Sequence, residues 1–179
     1  IVVSFAPESA YDALQQTPII FNYAVEDVAC GFDFNVAVDG SQNVLYWGVP
    51  HPEAQYGYLG LPYAGQFVAI DAFGLTVAGL TDHGEVVVWG EDAGGVVSMA
   101  PSVYQEAVQV VLGEGFGVSL LPDGTVNQWG SGSGSALGMP MPPTGLSNVV
   151  ELASSSNHVA AYLSDGTVVH WGVSPSFLE

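Results

Sequence analysis

The sequence contains no lysine and no arginine, while Asp and Glu together number 18, so the formal charge is −18. Each missing cation removes a class of chemistry. A phosphate-binding P-loop needs its lysine, a pyridoxal Schiff base needs an amine, and an arginine finger needs a guanidinium. Nucleic-acid binding draws much of its affinity from cations that displace the counterions on phosphate, so no nucleic-acid partner is expected. Direct binding to an anionic membrane is not expected either, for the same electrostatic reason.

Cysteine is nearly absent. The single thiol, Cys30, rules out an internal disulfide framework and any multi-cysteine metal cluster. It is expected to be a small buried hydrophobe. No apolar run approaches the ~18 residues of a helical membrane span, and no basic stretch precedes an apolar one at the start. What the chain does have is 49% hydrophobic residues, 23 Gly and 11 Pro in 179 residues. That is too apolar for disorder and too rich in turn formers for a helical bundle, which brings an all-β single domain forward.

Self-similarity then sets the architecture. Trp-Gly recurs at Trp47-Gly48, Trp89-Gly90, Trp129-Gly130 and Trp171-Gly172, in steps of 42, 40 and 42 residues. A turn precedes each, written Asp123-Gly124 and Asp165-Gly166 in two copies, Asp82-His83-Gly84 in another and Asp39-Gly40 in the most divergent. Asp-Gly between apolar runs signals a hairpin, because the turn needs a positive φ that glycine supplies without steric cost. A further strand leads into each hairpin, starting at Val25, Phe67, Ala107 and Asn148. Small residues in the hairpins' leading strands are expected where strands crowd around an axis. Ile1 to Phe5 align with 167–171, and Phe5 stands 42 residues before Trp47. The chain therefore divides into a half repeat with connector, 1–24, and full repeats at 25–66, 67–106, 107–147 and 148–179.

One small sheet cannot bury both its faces, whereas a ring of them hides every inner face and leaves only short edges. Period and strand count thus predict a β-propeller of four full repeats plus a leading half. In it the tryptophans are wedges between blades, each burying ~150–250 Å².

The last copy carries Asn157-His158 before its second strand, Leu163-Ser164-Asp165-Gly166 at its turn and Trp171-Gly172 at its end. It resembles the regulator-of-chromosome-condensation repeat. The third copy keeps Leu121-Pro122-Asp123-Gly124 and Trp129-Gly130 but has Phe116-Gly117 in place of Asn-His, and the second keeps Leu80-Thr81-Asp82. Tyr56-Gly57-Tyr58-Leu59-Gly60 is similar to the family's glycine-leucine-glycine connector. The resemblance implies a ring of about seven blades. Four copies and a half then imply a smaller ring, a segment of a longer protein, or a ring completed by a second copy. No single activity is implied, since the family includes exchange factors, a secreted inhibitor of β-lactamases with similarly short repeats, and repeats in surface or viral proteins. An exchange factor working on chromatin is the wrong branch for a chain without cations.

Candidate chemistry is thin. The histidines His51, His83, His158 and His170 share no ligand spacing, so no metal site is assigned to them, and His158 is expected to hydrogen-bond a neighbouring backbone group. Carboxylates at Glu26-Asp27, Asp33, Glu91-Asp92 and Glu114 are the groups that could meet across blades as an acid/base pair or a Ca²⁺ site. No other cofactor is expected. Gly113-x-Gly115-x-Gly117 precedes a strand rather than a helix, so it is a turn and not a dinucleotide cradle. The candidate binding residues are Tyr56, Tyr58, Tyr63 and Tyr104, because aromatic side chains in connectors favour protein or glycan contact.

These readings converge on a non-catalytic protein-interaction and structural module that holds a protein partner on its loop faces, with a homo-oligomer or larger assembly allowed. An extracellular, cell-surface or virion location is expected, since a chain without Lys or Arg offers trypsin-like proteases no side chain to anchor on. Two alternatives stand beside it: a secreted propeller inhibitor of an enzyme, and a carbohydrate-acting enzyme with an acidic pair near the axis.

Overall fold

The computed structural model describes residues 24–48, 66–101, 106–132 and 141–172. Among these, twelve strands form four three-stranded antiparallel sheets, each in sequence order. Blade 1 comprises β1 (Val25–Cys30), β2 (Phe34–Asp39) and β3 (Val44–Gly48), and blade 2 comprises β4 (Phe67–Phe73), β5 (Thr76–Thr81) and β6 (Val86–Gly90). Blade 3 holds β7 (Gln109–Gly113), β8 (Phe116–Leu120) and β9 (Val126–Gly130), and blade 4 holds β10 (Val149–Ser154), β11 (His158–Leu163) and β12 (Val168–Gly172). A short 3₁₀ segment, Ala93–Gly95, lies in the connector between blades 2 and 3.

The sheets stack face to face. The first strands β1, β4, β7 and β10 neighbour one another from blade to blade and are innermost, which leaves the Trp-bearing third strands outermost. Successive side chains of a strand point to opposite faces, so each blade offers one apolar face backward and one forward. Val36 and Val38 of blade 1 meet Phe67, Ile70, Val77 and Trp89 of blade 2. Ala78, Leu80 and Val88 on the other face of blade 2 meet Val110, Leu112 and Trp129. Val111, Phe116, Val118 and Leu120 meet Leu152, Val159 and Trp171. The arrangement is a β-propeller. Isolated small sheets are marginal in water, and at roughly 1.5–3 kcal/mol per large apolar side chain fully buried it is these interfaces that hold each blade folded.

The Trp-Gly pair has a mechanical cause. Its glycine ends the third strand at positive φ, 95° at Gly130 and 130° at Gly172. A Cβ there would run into the turn between the first two strands, against the carbonyl of Gly115 or of Asn157. Any other residue would meet both the dihedral penalty and the collision.

The hairpin turns are longer than a two-residue Asp-Gly loop. Gly124 donates its N–H to Leu121 O at 2.9 Å and sits at φ 78°, while Leu121 N–H bonds Thr125 O at 2.9 Å. That is a type I turn followed by a left-handed glycine. In blade 1 the left-handed position falls on Gln42, φ 66°, two residues after Gly40.

Two expectations are corrected. Cys30 is exposed, its thiol bonding Asn35 Oδ1 at 3.2 Å. Its counterparts Ala72 and Leu112 are buried against a preceding blade, and no blade precedes β1 among the described residues. The small residues of the middle strands, in turn, make room for rings rather than for an axis: a Cβ on Gly79 would strike the Phe67 ring, and one on Gly117 the Trp129 indole.

Candidate functional site

Three kinds of clasp fasten each blade to the next, and they recur at fixed register. The residue before each tryptophan, Tyr46, Val88, Gln128 or His170, pairs with the same place on its middle strand. Tyr46 Oη accepts from Trp89 Nε1–H at 2.6 Å, and Gln128 Oε1 accepts from Trp171 Nε1–H at 3.0 Å. Valine at 88 has no acceptor, so Trp129 donates instead to the Val96 carbonyl at 2.8 Å, supplied by the connector.

A second clasp lies on the innermost strands, at the register of Asp27, Ala69, Gln109 and Glu151. Asp27 Oδ2 accepts the N–H of Ile70 at 2.8 Å, and Gln109 Oε1 accepts that of Leu152 at 2.7 Å while its amide donates to Leu152 O. Alanine at 69 cannot do this; Asp71, two residues on, takes the N–H of Leu112 at 2.6 Å. The third clasp joins each hairpin turn to the following first strand: Gln42, Gly84 and Gly124 carbonyls accept from Phe67, Ala107 and Val149 N–H.

Among the described residues Asp71 is the most perturbed carboxylate. Burial pushes it up to about 6, hydrogen bonds from Leu112 and Ala72 oppose the shift, and Asp27 nearby adds to it. The two carboxyls are the acidic pair that the structure brings together near the axis. Each lends an oxygen to a backbone N–H of the following blade, so their visible work is fastening.

The turns between first and second strands form one flat face. Phe32 N–H bonds Gly74 O at 2.9 Å, Ser131 N–H bonds Gly94 O at 2.8 Å, and Glu114 N–H bonds Ser156 O at 2.7 Å, which ties the four blades together along this face. At the blade 1 turn Phe32 is 72% exposed, its ring 6.2 Å from that of Phe73 in a tilted pair. The same face carries the carboxylates Asp33, Glu91, Asp92 and Glu114, at turns or strand ends of blades 1, 2 and 3. Asp92 Oδ1 accepts the N–H groups of Val97 and Ser98, bonds that hold its carboxyl below the usual range. Glu114 Oε2 accepts from Ser156 Oγ at 2.8 Å.

The opposite face carries the hairpin turns. Asp123 and Asp165 each accept the N–H and hydroxyl of the threonine two residues on, Thr125 and Thr167, and Asp39 accepts the N–H groups of Ser41 and Asn43. Those bonds hold all three carboxyls low.

The tyrosines Tyr56, Tyr58, Tyr63 and Tyr104, together with Phe5 and His51, lie outside the described residues. Trp89, Trp129 and Trp171 are buried between blades at 3%, 6% and 6% exposure, while Trp47 on the first blade is half-buried. His158 is corrected in one respect: its Nδ1 lies 2.9 Å from the side-chain oxygen of Asn157, the exposed residue beside it, rather than against a backbone group. His83 pairs with the adjacent Asp82 and is otherwise solvated. No group of three or more His, Cys, Asp or Glu is placed to hold a metal ion among the described residues. Phe32, Asp71 and the residue before each tryptophan escape a reading by residue type; the signal for the last is positional, one step before Trp-Gly.

No family model matches the chain, and no curated protein matches it significantly. Solved structures do. The chain is similar to the CRINKLY WD40 ectodomain of the Arabidopsis thaliana receptor kinase ACR4, at TM-score 0.67 and 21% identity over 88% of this chain and 53% of that one. Human WBSCR16 gives TM-score 0.67 and 18% identity over 87% and 50%. Yeast RCC1 (Prp20), in its structure bound to Kap60, gives 0.60 and 21% over 82% and 43%. This likeness shows the fold, a β-propeller, and the chain spans about half the length of the first two proteins.

Proposed function

We propose that the chain is a non-catalytic protein-interaction scaffold built from repeats of the regulator-of-chromosome-condensation type, and that its turn face is the binding face. The observation that carries this is Phe32, a large apolar ring 72% exposed at a turn tip, on a face whose turns and strand ends also carry carboxylates. Aromatic side chains are enriched in the cores of protein interfaces, with polar residues at the rim. The complementary partner is a protein surface with an apolar pocket and lysine or arginine around it, because this chain contributes no cation of its own. Protein partners are also on record for the solved neighbours: yeast RCC1 binds Kap60, and Prp20p from Saccharomyces cerevisiae has binding properties toward Gsp1p and histones. An extracellular, cell-surface or virion setting belongs to the same proposal, as do Tyr56, Tyr58, Tyr63 and Tyr104 as further contacts from the connectors.

Co-purification from the native source tests it, with wild type compared against Phe32→Ser on the turn face and Glu85→Gln on the hairpin face. One stoichiometric protein retained by E85Q and lost with F32S is the expected result. Turnover of a glycan that disappears in Asp71→Asn would replace the scaffold with an enzyme.

A further inference from the structure

Asp-Gly occurs three times in the chain, at Asp39-Gly40, Asp123-Gly124 and Asp165-Gly166. In such a pair the glycine has no side chain to shield its amide nitrogen from the Cγ of the preceding aspartate. Attack forms an N–Cγ bond, breaks a Cγ–O bond and releases water, giving a five-membered succinimide. Water then adds back at the aspartate's main-chain carbonyl carbon and breaks its bond to the glycine nitrogen. The chain now runs on through Cγ as isoaspartate, at unchanged mass, and water is the only co-reactant. Ring closure does require the Asp-Gly peptide to swing out of its turn, and each glycine N–H is tied down: Gly40 to Ala24 O at 2.8 Å, Gly124 to Leu121 O at 2.9 Å and Gly166 to Leu163 O at 3.0 Å. Local opening of the turn therefore sets the rate.

Asp123 and Asp165 form a matched pair. Each is followed by Gly-Thr, each accepts that threonine's N–H and hydroxyl, and those bonds hold both carboxyls low. What differs is the freedom of the peptide that must move. The Gly124 carbonyl accepts Val149 N–H at 3.0 Å, and a Cβ on Gly124 would stand 2.9 Å from Asn148 N and Cα, so blade 4 pins this turn. Among the described residues nothing bonds the Gly166 carbonyl, and nothing lies within 4 Å of a Cβ on Gly166. The bond from Ser164 N–H to Asn148 O at 2.9 Å precedes the aspartate and can stay closed while the peptide swings. Asp39 is held hardest: it is buried, and its carboxylate takes the N–H groups of Ser41 and Asn43 and the Asn43 amide. We propose that Asp165 is a site of spontaneous backbone isomerisation in this protein, and that the packing around Asp123 and Asp39 protects those two. The product inserts a backbone methylene between β11 and β12, which disturbs the register of that hairpin. It also frees an α-carboxylate, the group that an isoaspartate-directed methyltransferase takes as substrate. The inference does not depend on the turn-face reading.

The test is a time course on the folded 179-residue chain, warmed at neutral pH and then cut after glutamate, which leaves the three sites on separate fragments, 27–53, 115–151 and 152–179. Electron-transfer fragmentation of each distinguishes isoaspartate from aspartate. Isoaspartate is expected to accumulate at Asp165 at least about fivefold faster than at Asp123, the factor that one further hydrogen bond broken on opening imposes, and slowest at Asp39. The same chain unfolded in urea supplies the reference, and there the rates at Asp123 and Asp165 should converge. Equal rates at Asp123 and Asp165 in the folded chain would overturn the inference. So would a rate ratio that persists unchanged in urea, or a folded chain in which Asp165 stays intact while the unfolded chain converts.

Discussion

The hydroxyl of Tyr46 lies 2.6 Å from the indole nitrogen of Trp89, 43 residues further along the chain and one blade on. Trp89 is 3% exposed, so its N–H has no route to water. Tyr46 is itself buried enough that its phenol is pushed well above the ordinary value. Tyr46→Phe keeps the ring and removes the acceptor, leaving a buried donor unpaired, at a cost of about 1–3 kcal/mol. Urea denaturation followed by tryptophan fluorescence should register that loss. If Y46F unfolds at the wild-type midpoint, the bond contributes nothing net.

Acid should stabilise this protein before it destabilises it. Burial holds Asp71 at about 6 when folded, above the ordinary carboxylate value of 3.8. A group whose folded value is raised binds its proton more tightly in the native state. Its charged form therefore weakens the fold at pH 7.5, and stability is gained as pH falls through 6 toward 4, by at most about 2–3 kcal/mol. Asp39, Asp92, Asp123 and Asp165 work oppositely: their folded values are lowered, and what they contribute is lost as pH falls below 3.8. Thermal melts from pH 8 to pH 3 should show a maximum between those limits, and Asp71→Asn should flatten the rise on its alkaline side. A melting temperature that declines steadily from pH 7.5 downward would contradict this assignment.

Salt should help as well. Eighteen carboxylates with no lysine or arginine to offset them repel one another within a Debye length of about 10 Å at 0.1 M ionic strength. Raising sodium chloride from 10 mM to 300 mM should increase the melting temperature, whereas binding of a cationic partner on the turn face should weaken over the same range. A melting temperature indifferent to salt would mean that bound cations already neutralise the surface.

Much of the fold is legible in the sequence because its causes are local and repeated. Gly130 needs a positive φ and a missing Cβ in order to end a strand against Gly115, and that requirement writes Trp-Gly at each of the four described blades. Asp123 and Asp165 close their turns on threonines two residues away, which makes Asp-Gly-Thr visible by eye. The clasps are harder to see because chemically different residues fill one register. Asp27 and Gln109 do the same work, Ala69 cannot, and the task passes to Asp71 two positions later. Likewise Val88 leaves its indole to a connector carbonyl at Val96. Burial of Asp71 follows from the packing of the neighbouring first strands, and Phe32 is set on the turn face by a backbone bond to Gly74 in the next blade. Neither cause is local to its own repeat.

Two glycines separate the intrinsic requirement of the turn from the contribution of the neighbouring blade. Gly124 and Gly166 occupy the same turn, at φ 78° and 89°, each following an aspartate that accepts from a threonine. A Cβ on Gly124 would lie 2.9 Å from Asn148 N and Cα, which are backbone atoms of the segment leading into β10 and cannot step aside as a side chain would. A Cβ on Gly166 meets nothing within 4 Å among the described residues. Gly166→Ala therefore carries only the left-handed penalty, about 1–2 kcal/mol. Gly124→Ala adds a displacement of the blade 3 to blade 4 junction and the loss of the bond from Val149 N–H to Gly124 O, and should exceed that figure by a further 1–3 kcal/mol or so. Parallel guanidinium titrations of the two variants give the difference directly. Equal losses would show that the hairpin turns tolerate a methyl group equally well whether or not a described backbone segment approaches it, and the blade 3 to blade 4 junction would then owe nothing to the close approach at Gly124.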